Sequence, residues 1–249
     1  MNKITIITVC YNCADCIEDT IHSVLSLNYP NVEYIIIDGQ SKDETMSIIK
    51  KYEEHITHVV SEKDKGIYDA MNKGLSLATG DWTFFLNAGD VFDDKDVLLK
   101  LPFGEYTQVS DVCAIIGDIK VDLNGDVSVR RKNIPFYRNN KKYKNMGFSH
   151  QGVFVKTMYA KSTMFDLQYK LCADYNMMVS LHKQGLKFIE TDVPICTIQG
   201  GIGASANNRD RQMKEEAMVC ECADSLTFYI TYYTRKMKRM IKSLVYRNK

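Results

Sequence analysis

The chain has 249 residues, 45 % of them hydrophobic and 25 % charged, with a net charge of +1; this composition fits a folded water-soluble protein and excludes disordered and fibrous classes. No apolar run approaches the roughly 18 residues of a membrane span, and Ile4–Val9 is too short for a secretory signal, so a cytoplasmic location with reduced thiols is expected. The near-neutral total hides an asymmetry: Ser225–Lys249 holds seven of the 32 basic residues and none of the 31 acidic ones, an acidic body with a basic tail.

In chain order, the β-branched run Ile4–Val9 predicts a buried parallel strand, ending in Tyr11-Asn12 and followed by apolar residues at helical spacing from Ile17 to Leu25. Cys10, Cys13 and Cys16 are spaced like iron–sulfur ligands, but Thr20 stands where a fourth cysteine would be needed. Val32–Ile37 predicts a second strand and Thr45–Tyr52 a helix, with Ser41 or Asp43 available as its cap. Ile56–Val60 predicts a third strand, Ile67–Leu77 a helix stopped at Thr79-Gly80, and Trp82–Leu86 a fourth strand. Alternating strands and helices over the first hundred residues mean βαβ units and a mainly parallel sheet. Beyond Leu101, segments 112–116, 120–123 and 127–131 predict mixed or antiparallel strands with a turn at Asn124-Gly125. Residues 171–183 predict a helix and 187–193 a late strand.

Functional side chains gather where the strands end. Thr8, Tyr11 and Asn12 follow the first strand, and Asp38 and Asp43 the second; a ring beside a carboxylate can stack a base and accept from its N–H. Taken alone, Asp38-Gly39-Gln40-Ser41 is equally well a turn with a helix cap. Lys73 and the amino end of the helix from Ile67 favour phosphate. No G-x-G-x-x-G follows the first strand, which argues against a dinucleotide site.

These pieces occur together and in order: T-x-x-Y-N from Thr8, D-G-x-S-x-D-x-T from Asp38, E-x-D-x-G-I-Y-D-A-M-N-K-G from Glu62, A-T-G-D from Ala78 and F-L-N-A-G-D from Phe84. The combination resembles the family-2 glycosyltransferases, inverting enzymes of the GT-A fold, over Ile4 to about Asp210, and within them the bacterial surface-polysaccharide type. The resemblance implies a GT-A, Rossmann-like α/β sheet flanked by helices over residues 1–222, with 1–100 binding nucleotide and 101–222 binding acceptor. It implies that Tyr11 and Asp38 hold the uracil of a UDP-sugar with Thr8 and Asn12 nearby. Asp64 would lie beside the nucleotide, and Asn72 and Lys73 at its ribose and diphosphate. Asn87-Ala88-Gly89-Asp90 takes the place of an acidic metal motif, leaving Asp90 as ligand of Mg²⁺ or Mn²⁺, with Asn87 beside the donor. Asp174 matches the family's general base, although the Glu that often precedes it is Ala173, and Asp174 could also simply cap a helix. Asp118, His150, Gln151 and the Gly200-Gly201 segment would serve the acceptor side or a lid; a satisfied, partly buried histidine is the alternative for His150.

Leu226, Ile230, Tyr233, Met237, Met240 or Ile241, and Leu244 recur at three and four residues among the seven cations, predicting an amphipathic helix over 223–249 that lies on an anionic membrane surface. Packing on the domain, or on a second subunit in a homodimer, is the alternative. The expectation is a cytoplasmic enzyme on the inner membrane face, without nucleic-acid partners. It would move a hexose from a UDP-sugar, with inversion, to a polyprenyl-diphosphate-linked glycan for O-antigen, capsule or exopolysaccharide. Its rivals are a non-catalytic sugar-nucleotide-binding subunit and a nucleotidyltransferase; the latter needs a glycine- and basic-rich loop that the sequence after the first strand lacks.

Overall fold

Strands Ile4–Cys10 (β1) and Val32–Asp38 (β2) are buried along almost their whole length, as strands covered on both faces must be. The computed structural model describes residues 1–131, 147–200 and 208–247, with side chains to residue 240. Alternate side chains of each strand feed two cores. Ile7, Val9, Ile35 and Ile37 face one; Ile4, Ile6, Tyr34 and Ile36 face the other.

The remaining strands are His58–Ser61 (β3), Trp82–Phe85 (β4), Val112–Leu123 (β5), Asp126–Arg130 (β6), Val153–Lys156 (β7) and Lys187–Gln199 (β8). They form one sheet in the order β3-β2-β1-β4-β7-β5-β6, with β8 beside β5. The pairs β1–β2, β1–β4, β2–β3 and β5–β8 are parallel; β7 runs antiparallel to β4 and β5, and β6 to β5. Helix Ile17–Leu25 (α1) packs Ile17, Ile21 and Val24 on one face, and Thr45–Lys50 (α2) lies beside it. The other face is covered by Ile67–Leu77 (α3), Thr157–Thr163 (α5), Ala173–Lys183 (α6), Arg209–Val219 (α7) and the start of Leu226–Arg247 (α8); a single short turn, Phe103–Tyr106 (α4), precedes β5.

The structure departs from the periodicity in four places. The two strands expected at 112–116 and 120–123 are one, because Gly117 lies inside β5 where a Cβ would come within 2.6 Å of Ile195 and of the Val193 carbonyl. The late strand extends to Gln199 through Pro194, which sits at a register shift opposite Asp118, where a missing N–H costs least. The helix expected to reach Tyr52 ends at Lys50. Neither expected cap closes it: Asp43 accepts from the Thr45 N–H two residues on (3.1 Å), while Ser41 turns to Asp38. β7 and α5 give no usable periodic signal, being only 4 and 7 residues long.

A buried carboxylate secures the start of the sheet. Glu33 accepts from Lys3 (2.7 Å), Thr5 (2.6 Å) and the Thr79 N–H (2.7 Å). Burial alone would raise its pKa, but these donors hold it down at about 2. Helix α3 approaches the sheet at Gly74, where a Cβ would lie 2.6 Å from Ile7 and 3.2 Å from Ile37. Gly74→Val should therefore destabilise the fold by about 1–3 kcal/mol through overpacking, read as a lower urea midpoint; an unchanged midpoint would show that α3 can move away freely.

Candidate active site

Because β1, β2 and β4 are parallel, their carboxyl ends share one edge of the sheet, where α/β proteins bind ligands. β7 runs the other way, so its start, preceded by the helical turn His150–Gly152, reaches the same edge.

On one side, Tyr11 is 58 % exposed. Asn12, in the left-handed region (φ 49°) that Asn tolerates, joins two strand ends. Its N–H donates to Ser41 Oγ (2.8 Å) and its Oδ1 accepts from the Lys42 N–H (2.9 Å). Asp38 is wholly buried, its carboxylate accepting from the Ser41 N–H and hydroxyl and from Ser61 Oγ (2.6 Å). Asp64, half-buried, brings a carboxylate beside Tyr11. Its Oδ2 lies 2.5 Å, and the Tyr11 ring 3.3 Å, from where a Cβ on Gly39 would stand. Tyr11 and Asp64 thus pack directly over Gly39, and any larger residue at 39 would have to push the Asp64 carboxylate aside.

The other residues expected on this side form its supports. The Thr8 hydroxyl is buried against Tyr34 OH (3.1 Å). Asn72 uses both amide atoms on the main chain of Phe165, each at 2.8 Å. Lys73 pairs with Glu62 (2.8 Å) and donates to the Lys63 carbonyl (2.8 Å), and the Glu62 contact draws its pKa up. It thereby fastens to α3 the loop that carries Asp64, whose Oδ1 accepts from the Gly66 N–H (2.8 Å).

On the other side, Asp174 opens α6 with its side chain 13 % exposed. Oδ1 accepts from Tyr68 OH (3.0 Å) and the Tyr175 N–H (2.9 Å), and Oδ2 from His150 Nδ1 (2.9 Å). Burial would raise this carboxyl's pKa, but the His150 hydrogen bond and charge, with the two other donors, hold it below the usual range. Burial likewise opposes charge on His150, yet Asp174 and Asp90 draw its pKa up. The Asn87 side-chain amide meets His150 Nε2 (3.3 Å). Tyr68 is the participant that periodicity missed; its place in G-I-Y-D, at the start of a helix beside the phosphate-favouring end, was the available signal.

Asp90 is 7 % exposed. Burial lifts its carboxyl to about 7, only partly opposed by the His150 charge, the Gln151 side chain and the Gln199 N–H. Thr20 fixes this turn, accepting from the Gly89 N–H and donating to the Asp90 carbonyl, both at 2.9 Å. Asp118, 2 % exposed, lies within β5 with Arg131 3.8 Å away; Gly152, just after His150 and Gln151, abuts the neighbouring Gly117 carbonyl. Gly200 donates its N–H to the Asp122 carbonyl (2.7 Å) near the β5–β6 hairpin, and Gly201 lies outside the described residues.

Among the described residues no three His, Cys, Asp or Glu side chains are grouped to hold a metal. Two oxygens nevertheless suit a hard divalent cation: Asn87 Oδ1, buried with no hydrogen-bond partner, and the Asp90 carboxylate, whose ionisation burial opposes. A Mg²⁺- or Mn²⁺-type ion that completes its shell with water and substrate phosphates needs little more from the protein.

Residues 5–161, more than half of the chain, match the family model described as Glycosyl transferase family 2. TuaG of Bacillus subtilis (strain 168), a glycosyltransferase assigned to teichuronic acid biosynthesis, is 42 % identical over 100 residues, 39 % of this chain and 39 % of that protein. The match spans well under half the length of such curated relatives. In structure, the chain resembles the mannosyltransferase PcManGT from Pyrobaculum calidifontis, solved with GDP-Man and Mn²⁺ (TM-score 0.65, 19 % identity, 87 % of this chain and 64 % of that one). It also resembles S. aureus TarS 1-349 in complex with UDP-GlcNAc (TM-score 0.61, 15 % identity, 87 % and 66 %). At these identities the likeness establishes the GT-A type of fold.

With its carboxyl raised to about 7, Asp90 ionises more easily unfolded than folded. The stability its neutral form contributes is present below the ordinary value near 4 and lost as pH rises through 7. In metal-free buffer Asp90→Asn should therefore be more stable than the parent at pH 8, by on the order of 2 kcal/mol, and the gap should close toward pH 4. Parallel urea midpoints across that range would show that Asp90 is not held neutral.

Proposed function

The chain belongs to glycosyl transferase family 2, and we propose that it is an inverting glycosyltransferase moving a hexose from a UDP-sugar to a lipid-linked glycan, a polyprenyl diphosphate carrier in surface-polysaccharide assembly. The observation that carries this reading is the convergence of two unlike half-sites on one sheet edge: Tyr11 and Asp64 packed over Gly39, and the Asp174–His150 pair beside Asn87 and Asp90. The first suits a flat base, stacked on Tyr11 with its N–H toward Asp64; residues 1–100 serve the donor. The second suits a hydroxyl acceptor; residues 101–222 serve it.

In the reaction, the acceptor oxygen attacks the anomeric carbon from the face opposite the diphosphate. The new C–O bond forms as the bond to the diphosphate oxygen breaks, and the electron pair leaves with UDP. The acceptor proton passes to Asp174, which its donors keep ionised, the state a base requires. Tyr68 and the Tyr175 N–H occupy Oδ1, so Oδ2, shared with His150, is the atom placed to take it. Asn87 Oδ1 and Asp90 would hold a divalent cation, which when bound neutralises charge on the departing diphosphate.

The last helix supports a place on an anionic membrane surface, the inner face of the cytoplasmic membrane in this reading. Among the described residues no helix is long and apolar enough to cross one. Helix α8 buries Phe228 and Tyr232 against the domain, while Leu226, Ile230, Tyr233, Met237 and Met240 on its other side are each more than half exposed. That stripe is the side free to enter lipid.

Asp174→Asn should lower transfer by about 10²–10⁴-fold while leaving UDP affinity, measured by calorimetry, within a few-fold; loss of both together would remove its role as base, and UDP-sugar binding with no UDP released to any acceptor, unchanged by Asp174→Asn, would favour a binding subunit. Deleting residues 225–249 should release the protein from sedimenting membranes without loss of UDP binding, and unchanged sedimentation would refute the surface role.

A further inference from the structure

Tyr68 lies in the first turn of α3 and is 7 % exposed. Its ring stacks on Phe165, with centroids 5.4 Å apart and planes inclined by 29°. Phe165 is itself pinned. Phe85 of β4 meets it edge to face at 5.1 Å, and Asn72, one turn further along α3, binds its main chain with both amide atoms. A phenylalanine at position 68 would make the same ring contacts. The hydroxyl therefore adds nothing to this packing and, buried, would cost free energy without a partner. The partner it has is Asp174 Oδ1, at 3.0 Å.

The start of α6 has a further anchor. Glu215 of α7, 6 % exposed, accepts through Oε2 the N–H groups of Lys170 (2.9 Å), Leu171 (2.8 Å) and Cys172 (3.2 Å), the residues that lead into the helix. The main chain there does not depend on Tyr68 alone, whereas the direction of the Asp174 carboxylate does depend on its own donors. A carboxylate offers about four lone pairs. The Tyr68 hydroxyl and the Tyr175 N–H occupy Oδ1, and His150 Nδ1 takes one site on Oδ2. Among the described residues this leaves one lone pair, on Oδ2. Without the Tyr68 hydroxyl, Oδ1 would compete for the proton, and a misplacement of about 1 Å can cost 10²-fold in rate. Tyr68 does not take the proton itself: burial and the Asp174 charge hold its hydroxyl well above the ordinary tyrosine value, so it stays a donor.

We propose that Tyr68 is a positioning residue for the transfer, holding Asp174 Oδ1 so that Oδ2 alone receives the acceptor proton, and tying the base to the helix that fastens the donor-side loop. That helix carries Tyr68, Asn72 and Lys73, the last paired with Glu62 in the loop of Asp64, so one rigid element sets the base relative to the donor side. The inference rests on the glycosyl-transfer reading of Asp174. The titratable groups facing Asp174 are Tyr68, His150 and Cys172, with Asp90 beyond His150; a substitution at Tyr68 changes the first of them and leaves the others.

The test uses the full chain and two substitutions at this position. UDP release from UDP-glucose or UDP-N-acetylglucosamine is followed across pH, with a polyprenyl-diphosphate-linked N-acetylglucosamine as acceptor. The Asp174 carboxyl is titrated by NMR on carboxyl-labelled aspartate, its signal assigned by its loss in D174N. Tyr68→Phe should lower kcat roughly 10–100-fold, with KM for the donor and UDP affinity within about twofold. The loss should persist on the high-pH plateau, where the carboxylate is charged in any case. The acidic limb and the NMR titration should both move to higher pH, because one donor to the charged form is gone. A ring-fluorinated tyrosine at position 68 keeps the packing and strengthens the donor, and should move both to lower pH. Unchanged kcat and titration in Tyr68→Phe overturn the inference. So does a fall in kcat matched by equal losses of UDP affinity and thermal midpoint, as a merely structural hydroxyl would give. If the parent releases no UDP, the glycosyl-transfer reading fails, and the two titrations by themselves decide whether Tyr68 holds the carboxylate.

Discussion

A carboxylate cannot remain ionised in a largely dry place unless donors surround it, and Asp174 meets this condition with groups from two distant parts of the chain and from its own helix. Tyr68 comes from α3, His150 from the turn before β7, and the Tyr175 N–H from α6 itself. Leaving a buried charge without such partners costs several kcal/mol, so these contacts fix where α6 begins relative to the sheet. This side chain is one link between the first hundred residues and the later half, beside the β4–β7 pairing and the Asn72–Phe165 contacts. The same requirement makes the site chemically competent, because the donors that permit burial also keep the carboxylate charged.

The two half-sites are built on different principles. On the donor side, hydrogen bonds go into the loops: Asn12 to the turn after β2, Lys73 to the Glu62–Lys63 loop, Asn72 to Phe165. What is left facing outward is small, a ring, a glycine and one carboxylate. On the acceptor side the polar groups bond one another directly, and the framework comes from farther out, through Glu215 on α7. Deep in the first half, Glu33 does for the fold what Asp174 does for the site, gathering Lys3, Thr5 and Thr79 at the start of the sheet.

The Asn87–Asp90 turn shows how a thinned acidic motif can still act. One buried carboxyl, raised to about 7, is poised between neutral and charged, so modest changes in its surroundings decide its state. A second full carboxylate packed beside it would add like-charge repulsion to a desolvation cost already high. Asn87 supplies an oxygen at that place without the charge, and its side-chain amide steadies His150.

The strands β1 to β4 and helix α3 were legible because β-branched runs and a 3.6-residue repeat record burial directly, and Ile67–Leu77 emerges with its predicted ends. Asp174, His150 and Asp64 were named through the resemblance to a known family rather than through periodicity, whereas Tyr11 stood out at the end of the first strand. Short β7, α5 and the unbroken β5 were not legible, because four to seven residues carry too little periodicity and Gly117 imitates a turn. The sequence by itself therefore determined the alternation of elements, the edge at which chemistry must lie and the residue types available there. Only the tertiary structure decided which of those residues face the crevice and which support it. It withdrew Thr8, Asp38 and Asn72 into hydrogen bonds with Tyr34, two serines and Phe165, and brought Tyr68 forward to Asp174. A side chain's direction depends on which donor or acceptor lies within about 3 Å of it, and that neighbour comes from tens of residues away, across pairings that local spacing does not encode.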